Sequence, residues 1–231
     1  MTARLLPQLL DEHRAALAEC RRCVAELPPG ALPVIPEARR PRAMLIGQAP
    51  GPTEATTRRP FQGRAGRTLF RWLAAAGLDE PAARQFFYIA AITRCYPGPH
   101  PGGRGDRVPT PGERARCAPW LDAELALIRP RLIVTLGRLA VDRFLPPAPL
   151  AGLVGTVHPI SVLGRPTRVV PLPHPSGASG WLNAPAHRAL LDQALAALAD
   201  EVRAVADPRL GRRRILAQRQ DPASRNGVTP S

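Results

Sequence analysis

Five short apolar runs alternate along this chain with longer amphipathic segments, and the alternation restricts the fold that the chain can adopt. The apolar runs have the length of β-strands and cover residues 43–46, 86–92, 132–136, 159–163 and 168–172. Apolar residues recur at helical spacing in the segments 4–19, 66–76, 111–128, 139–144 and 184–205. Strands that alternate with helices predict an α/β fold whose mostly parallel sheet is covered on both faces.

The length and the composition predict one folded domain with a tail. A chain of 231 residues with 45% hydrophobic residues is large and apolar enough for one full core. From residue 207 onward the chain carries six arginines against two aspartates and ends in small polar residues. We therefore expect a domain over residues 1–205 and a basic, disordered tail over residues 206–231.

The charge of the chain predicts an anionic partner. The formal net charge is +14, and all 32 cationic residues are arginine. A charge of this size favours nucleic acid as the partner, while a basic surface without a bound polymer is the alternative. No apolar window approaches the roughly 20 residues that a membrane span needs, and the first residues predict an amphipathic helix, so we expect no signal peptide. We expect a cytoplasmic protein that has no membrane contact.

A turn rich in glycine and proline follows the first apolar run. It comprises Gly47-Gln48-Ala49-Pro50-Gly51-Pro52-Thr53-Glu54, and a second turn-like stretch covers residues 59–66. Small residues let backbone N–H groups approach a flat ligand or a phosphate closely. In an open α/β sheet the ligand crevice lies at the carboxyl ends of the strands, which is where this turn is placed. The turn therefore predicts one wall of a binding site.

A second irregular segment covers residues 97–111 and contains five prolines and four glycines. Loops of this length in a compact domain are usually functional or disordered.

The four cysteines need one explanation. Cys20 and Cys23 form a C-x-x-C pair, and Cys95 and Cys117 follow far downstream. Four thiolates complete a tetrahedral metal site or hold an iron–sulfur cluster, and spacing alone does not separate zinc from iron. A redox pair is a competing interpretation, although such a pair normally follows a strand rather than a helix. Four unrelated buried thiols are the remaining alternative.

Taken together, these segments resemble the iron–sulfur uracil-DNA glycosylases, families 4 and 5 of that superfamily, with a divergent first motif. The matching segments are residues 47–54, 59–66, 88–95 and 110–117, followed by His174-Pro175-Ser176. They occur in the family's order, over roughly residues 10–200, with all four cysteines at the expected places. The resemblance implies a three-layer α/β/α fold around a mostly parallel four-stranded sheet. It also implies that an N-terminal helix precedes Cys20 and Cys23, and that these two residues hold a structural 4Fe–4S cluster together with Cys95 and Cys117.

The same resemblance implies a pocket for a base that has been flipped out of DNA. It assigns catalysis to His174, Glu54 and Gln48, with His174 donating a hydrogen bond to uracil O2 as negative charge builds there. It assigns base binding to Gly47, Ala49, Phe61 and Ala91, with Phe61 stacked on the base. It assigns DNA binding to Ser176, Gly177, Trp181 and Arg64. Trp181 or Leu182 is the candidate wedge in the base stack, and Arg58, Arg59, Arg64 and Arg67 are expected to contact phosphates.

Two positions depart from the family 4 pattern. Gln48 stands where family 4 has a glutamate that polarises the attacking water, and Ala91 stands where family 4 has an asparagine that reads the base. Ala91 is closer to the family 5 pattern, but the aspartate of the second family 5 motif is replaced here by arginine. Glu54 is the remaining carboxylate of the two leading motifs, and it either orients the water or fixes the loop by hydrogen bonds.

Three functions are compatible with these features. The first is a monofunctional glycosylase that removes uracil or another deaminated base from DNA, since a chain without lysine offers no lysine nucleophile for a lyase step. The alternative is a catalytically weak or inactive iron–sulfur protein of the same fold that binds DNA or abasic sites. A zinc-bearing nucleotide-binding protein is a more distant interpretation. For the first two we expect a monomer.

Overall fold

A five-stranded sheet forms the centre of the molecule in the computed structural model, which describes residues 5–103, 105–176 and 180–207. The strands are β1 (Ala43–Gly47), β2 (Phe87–Ala91), β3 (Leu132–Leu136), β4 (His158–Val162) and β5 (Arg165–Leu172). Their order across the sheet is β2-β1-β3-β5-β4. The first four strands in this order are parallel, so their carboxyl ends meet at one edge.

The fifth strand corrects the expected strand number. The α/β class and the mostly parallel sheet are confirmed, but the sheet has five strands rather than four. β4 pairs antiparallel with β5 because only Leu163 and Gly164 join the two strands. Both linking residues have positive φ values, 48° and 73°, which is the backbone of a tight two-residue hairpin. The sequence places an apolar run at β4 but does not reveal its direction.

Seven helices surround the sheet within the described residues. They are α1 (Leu5–Ala18), α2 (Pro52–Thr57), α3 (Arg64–Ala75), α4 (Glu80–Phe86), α5 (Pro111–Ile128), α6 (Arg138–Val141) and α7 (Pro185–Ala206). Two short 3-10 turns occur at Leu150–Gly152 and Trp181–Asn183. The sequence pattern predicts five of the helices but not α2 and α4. Both are shorter than two full turns, so apolar periodicity has too few positions to register.

The residues at the start of α4 are interpreted from the sequence as a boundary between elements. Asp79 caps the helix, because its Oδ1 accepts a hydrogen bond from the backbone N–H of Ala82 at 2.9 Å. Pro81 lies in the first turn of the helix, where a proline removes no helical hydrogen bond. The Asp79–Pro81 segment is therefore the beginning of a helix, and not only a boundary between two elements.

Alternate strand residues point to opposite faces and build two apolar cores. One core packs the sheet against α3, α4 and α7, and it includes Leu45, Val134, Val170, Leu73 and Leu198. The other packs the sheet against α1, α5 and α6, and it includes Met44, Ile133, Val169, Leu10 and Leu121. Strands with both faces buried are continuously apolar, which is why β1 and β3 are read so clearly from the sequence. The result is the expected three-layer arrangement.

The last helix extends through Ala206, so the described part of the chain ends just beyond the predicted domain boundary. Most of the predicted tail, residues 208–231, lies outside the described residues. None of the described helices is both long enough and apolar enough to cross a membrane.

Candidate active site and cysteine cavity

A pocket of about 860 Å³ opens at the carboxyl ends of β1, β2 and β5. Ten residues that the sequence analysis assigns to a site line it: Gly47, Gln48, Ala49, Glu54, Phe61, Arg64, Ala91, His174, Ser176 and Trp181. Gly177, which is also assigned to DNA binding, lies outside the described residues. The structure thus brings together residues from four separate parts of the chain.

His174 follows the end of β5, and its ring is held in one orientation by Ser176. Its Nδ1 accepts a hydrogen bond from the backbone N–H of Ser176 at 3.2 Å and lies 2.8 Å from the Ser176 hydroxyl oxygen. Because Nδ1 is an acceptor, the proton of the neutral ring is on Nε2. Burial lowers the pKa of His174 below its usual value of 6.5, so the ring is neutral at neutral pH. His174 therefore offers one N–H donor, at Nε2.

The backbone at the end of β3 allows His174 to sit close to the sheet. Gly137 has a φ of 79°, and a Cβ atom at this position would lie 3.1 Å from the His174 Cβ and 3.2 Å from its Cδ2. Any larger residue would combine a strained backbone with contact against the ring. Gly137 therefore determines how deep the histidine lies.

Phe61 lies over the end of β1. Its Cζ would be 3.3 Å from a Cβ atom at position 47, and its own backbone has a φ of 55°, which is uncommon for a residue with a side chain. The helix α3 approaches this turn so closely that a Cβ atom at Gly66 would lie 2.0 Å from the Phe61 carbonyl oxygen. The second motif thus needs its glycine at residue 66 to place the aromatic ring.

The Phe61 turn is also held by Arg84, which the sequence analysis does not single out. The buried guanidinium donates to the Pro60 carbonyl at 3.0 Å and to the Phe61 carbonyl at 3.4 Å. It also forms an ion pair with Glu80 at 2.8 Å. Nothing in the sequence around Arg84 predicts its contact with the Phe61 turn, because the two carbonyl groups that it binds lie more than 20 residues away.

Glu54 is buried, and its carboxylate accepts three backbone hydrogen bonds. Oε1 accepts from the N–H groups of Gln62 and Gly63 at 2.8 and 2.9 Å. Oε2 accepts from the N–H of Gly51 at 3.0 Å. These bonds tie the first motif to the second across both turns. Of the two roles open for Glu54, this geometry favours the one in which it fixes the loop.

Gln48, Ala49 and Ala91 line the pocket where β1 and β2 end. Gly47 and Ala91 face each other in the parallel register, and the Gln48 carbonyl accepts from the N–H of Thr93 at 3.2 Å. The pairing of the two strands is thereby extended to the floor of the pocket. Ala91 adds no polar group there, so the polar groups next to it are backbone groups and the side chains of Gln48 and Thr93.

The residues assigned to DNA binding lie at the rim of the pocket. Arg64 is exposed at the start of α3. Trp181 stacks on His187 with ring centroids 4.1 Å apart, and the Trp181 carbonyl accepts from His187. These two contacts with His187 hold Trp181 at the rim of the pocket. Arg59 does not fit the phosphate expectation, since it pairs with Glu37 at 2.7 Å.

A second cavity, of about 30 Å³, contains all four cysteines. Cys20 and Cys23 follow α1, Cys95 follows β2, and Cys117 lies on α5. Apolar residues complete the wall, among them Val24, Leu27 and Pro97. Burial, together with the nearby Cys117, Cys20 and Cys23, raises the pKa of Cys95 to about 12. The four thiols are thus close enough to influence one another.

A buried ion pair holds the elements around this cavity together. The Arg94 guanidinium pairs with Glu124, which also accepts from the Tyr88 hydroxyl at 3.0 Å and lies 3.1 Å from His13 Nε2. These residues connect α1, β2 and α5, the three elements that precede or carry the cysteines. In the described part of the chain, no three Cys, His, Asp or Glu side chains stand in the arrangement that holds a single metal ion.

The fold and the pocket together define an α/β protein with a ligand-binding cleft at the carboxyl edge of its sheet. The chain belongs to the uracil DNA glycosylase superfamily, whose family profile matches residues 35–199. A type-4 uracil-DNA glycosylase of Archaeoglobus fulgidus is 30% identical over 72% of this chain and 81% of its own length. A type-5 uracil-DNA glycosylase of Mycobacterium tuberculosis is 34% identical over 75% of this chain and 68% of its own length.

Types 4 and 5 are the branch that the motifs indicated, so the predicted resemblance is confirmed. A type-4 uracil-DNA glycosylase of Thermotoga maritima is 35% identical over 58% of this chain. The aligned region spans 65% of that protein, just under two thirds of its length.

Proposed function

We propose that this chain is a monofunctional DNA glycosylase that hydrolyses the N-glycosidic bond of uracil, or of another deaminated base, flipped out of DNA. The observation that carries the proposal is the placement of His174. Its single donor, Nε2–H, belongs to a half-buried neutral ring in the same pocket as Phe61 and the glycine-rich turn. The names of the relatives and the basic charge of the chain support DNA as the substrate.

In the proposed reaction the bond between C1′ and the base breaks as negative charge moves onto the base. A donor aimed at the developing charge stabilises the transition state more than the ground state. His174 supplies that donor at uracil O2 without a change of protonation state. Phe61 stacks on the base, and the backbone of Gln48 and Ala49 contacts its edge.

The absence of lysine from the chain supports a monofunctional reaction. The chain contains no lysine, so no lysine amine is available to form a Schiff base at C1′. Water is then the nucleophile, and the products are the free base and an abasic site.

A structural 4Fe–4S cluster is the cofactor that best fits the second cavity. Four cysteines from three separate segments of the chain line one cavity, and four thiolates are a donor set typical of such clusters. Cys20, Cys23, Cys95 and Cys117 would hold it, and the cluster would tie the chain after α1 to α5. Zinc is the less favoured alternative, and a visible absorption band would separate the two, because zinc sites are colourless.

The substrate range is expected to be broader than uracil. Ala91 presents a methyl group where an asparagine would read the base edge, so the pocket rejects other bases less strictly. Hypoxanthine and xanthine are the further candidates. The protein is expected to act as a cytoplasmic monomer that binds DNA, with Ser176, Gly177, Arg64 and Trp181 at the phosphates and the base stack.

Single-turnover assays on duplexes carrying one uracil, hypoxanthine or xanthine test the proposal. His174→Ala removes the Nε2 donor and is expected to lower the rate by about 10²- to 10³-fold, the usual cost of one such donor. His158→Ala is the matched control, since His158 lies on β4 and does not line the pocket. If the wild-type protein produces no alkali-labile break on any duplex, the proposal is wrong.

Gln48 favours a second candidate function, binding without base release. Its amide cannot take a proton from water as the family 4 glutamate can. An iron–sulfur protein that binds abasic DNA would then shift such a duplex in a gel without cleaving any lesion. The assays on the three lesions distinguish this candidate from the enzyme.

A further inference from the structure

Residues 97–103 and 105–110, which are rich in proline and glycine, form the two arms of a hairpin. Pro99 and Asp106 pair in an antiparallel bridge. The His100 N–H donates to the Gly105 carbonyl at 2.9 Å, and the Arg107 N–H donates to the Gly98 carbonyl at 3.0 Å. The backbone on either side of Asp106 is therefore fixed by hydrogen bonds.

The hairpin is anchored to the start of α5. The Arg107 guanidinium binds both carboxylate oxygens of Glu113, at 2.5 and 2.8 Å. Glu113 also accepts from the N–H of Thr110 at 2.7 Å, which closes the cap of α5. A bidentate pair of this kind fixes direction as well as distance. The hairpin thus holds Asp106 in a constant position relative to the rest of the fold.

That position is at the pocket. Asp106 lines the cleft that also contains His174 and Phe61. A Cβ atom at Gly51 would lie 3.5 Å from its Oδ2, which places the carboxylate next to the first motif. The residue is exposed, so water reaches it. The Tyr96 side chain forms a hydrogen bond with the carboxylate and limits its rotation.

Two acidic residues, Glu54 and Asp106, line the described part of the pocket, and they differ in the hydrogen bonds that their carboxylates already accept. Both oxygens of Glu54 already accept backbone N–H groups. Asp106 has the Tyr96 hydroxyl as a partner and otherwise faces the cleft. A carboxylate oxygen has lone pairs for more than one donor, so Asp106 can accept from a water molecule as well.

We propose that Asp106 is the catalytic carboxylate of this pocket and that it orients the water that attacks C1′, in the place left by Gln48. The proposal rests on the proposed glycosylase function. The water oxygen forms a bond to C1′ as the bond from C1′ to the base nitrogen breaks. The electron pair of that bond stays on the base, near the His174 donor, and one water proton passes to Asp106. The proton then leaves to solvent or to the released base, so the reaction consumes one water and yields the base and an abasic site.

The surroundings of Asp106 agree with this role. Partial burial raises the pKa of Asp106, the Tyr96 hydrogen bond opposes the change, and the nearby Glu54 charge adds to it. A carboxylate with a raised pKa is a stronger base toward the proton of a bound water.

Asp106→Asn keeps the shape of the side chain and removes its ability to take a proton. We expect the single-turnover rate of uracil excision to fall by about 100-fold, at the lower end of what general base catalysis contributes. Binding to a duplex carrying a non-hydrolysable 2′-fluoro uracil nucleotide is expected to change less than threefold, and the melting temperature is expected to stay constant. Asp122→Asn is the matched control, since Asp122 lies on α5, pairs with Arg143 and does not line the pocket.

The outcomes separate the two proposals. A variant Asp106→Asn that cuts as fast as an active wild-type protein overturns the role of Asp106 and leaves the glycosylase function standing. A loss of rate matched by an equal loss of DNA affinity or of thermal stability also overturns it, because the residue would then act on binding or folding alone. A wild-type protein that is inactive on every lesion overturns the glycosylase function itself, and the role of Asp106 with it.

Discussion

The role of Glu54 can be tested by replacing it with glutamine, which changes its charge and one of its acceptors but not its size. In the native structure Oε1 accepts two backbone N–H groups and Oε2 accepts a third. A glutamine can keep its carbonyl oxygen at the position of Oε1. Its NH₂ group then faces the N–H of Gly51, and two donors cannot bond to each other.

The cost follows from these three bonds. A hydrogen bond to a charged group contributes roughly 1.5–3 kcal/mol, and one to a neutral group contributes roughly 1 kcal/mol. Glu54→Gln loses the Gly51 bond and weakens the two bonds at Oε1. We expect the free energy of unfolding to fall by about 2–3 kcal/mol. In a chain of 231 residues this corresponds to a decrease in melting temperature of roughly 5–10 °C.

Denaturant unfolding and single-turnover excision, measured on the same preparations, provide the assay. Glu12→Gln serves as the control, since Glu12 is exposed on α1 and should change neither quantity by much. If Glu54 fixes the loop, stability falls by the stated amount and activity falls with it, because Phe61 and the first motif lose their shared anchor. A variant of unchanged stability whose excision rate drops about 100-fold would refute this reasoning and would restore the water-orienting role.

Two further predictions concern pH. Arg107 and the Thr110 N–H hold the pKa of Glu113 at about 2, against an ordinary value of 4.5, so this carboxylate stabilises the fold fully above pH 4.5 and loses its contribution as the pH falls towards 2. The difference of about 2.5 in pKa corresponds to about 3 kcal/mol, so the stability gap between wild type and Glu113→Gln should be about 3 kcal/mol at pH 7 and should close towards pH 2 in urea unfolding curves. Burial lowers the pKa of His174, so NMR titration should give a value below 6.5. The excision rate should fall as the pH drops below the His174 pKa, because a protonated Nδ1 would then face the Ser176 N–H. A His174 pKa above 6.5 would contradict the assignment of a half-buried neutral ring.

Much of the architecture can be predicted from local patterns in the sequence. Buried parallel strands such as β1 and β3 are continuously apolar, and long helices such as α5 and α7 repeat their apolar face several times. The gathering of Gly47, Phe61 and His174 in one pocket also follows, since segments that leave parallel strands at their carboxyl ends meet at one edge. The short helices α2 and α4 and the antiparallel β4 were missed or incompletely described, because few residues encode them.

The sequence by itself therefore determined the fold class, the family and the order of the strands and longer helices, and it predicted residues that line the pocket. Only the tertiary structure showed which distant residues contact one another at that pocket. The three N–H groups on Glu54, the hold of Arg84 on the Phe61 turn, and the placement of Asp106 beside Gly51 all join residues whose pairing no local pattern records. Periodicity and turn signals arise within a few residues of one another, whereas hydrogen bonds between distant segments exist only once the sheet has brought those segments together.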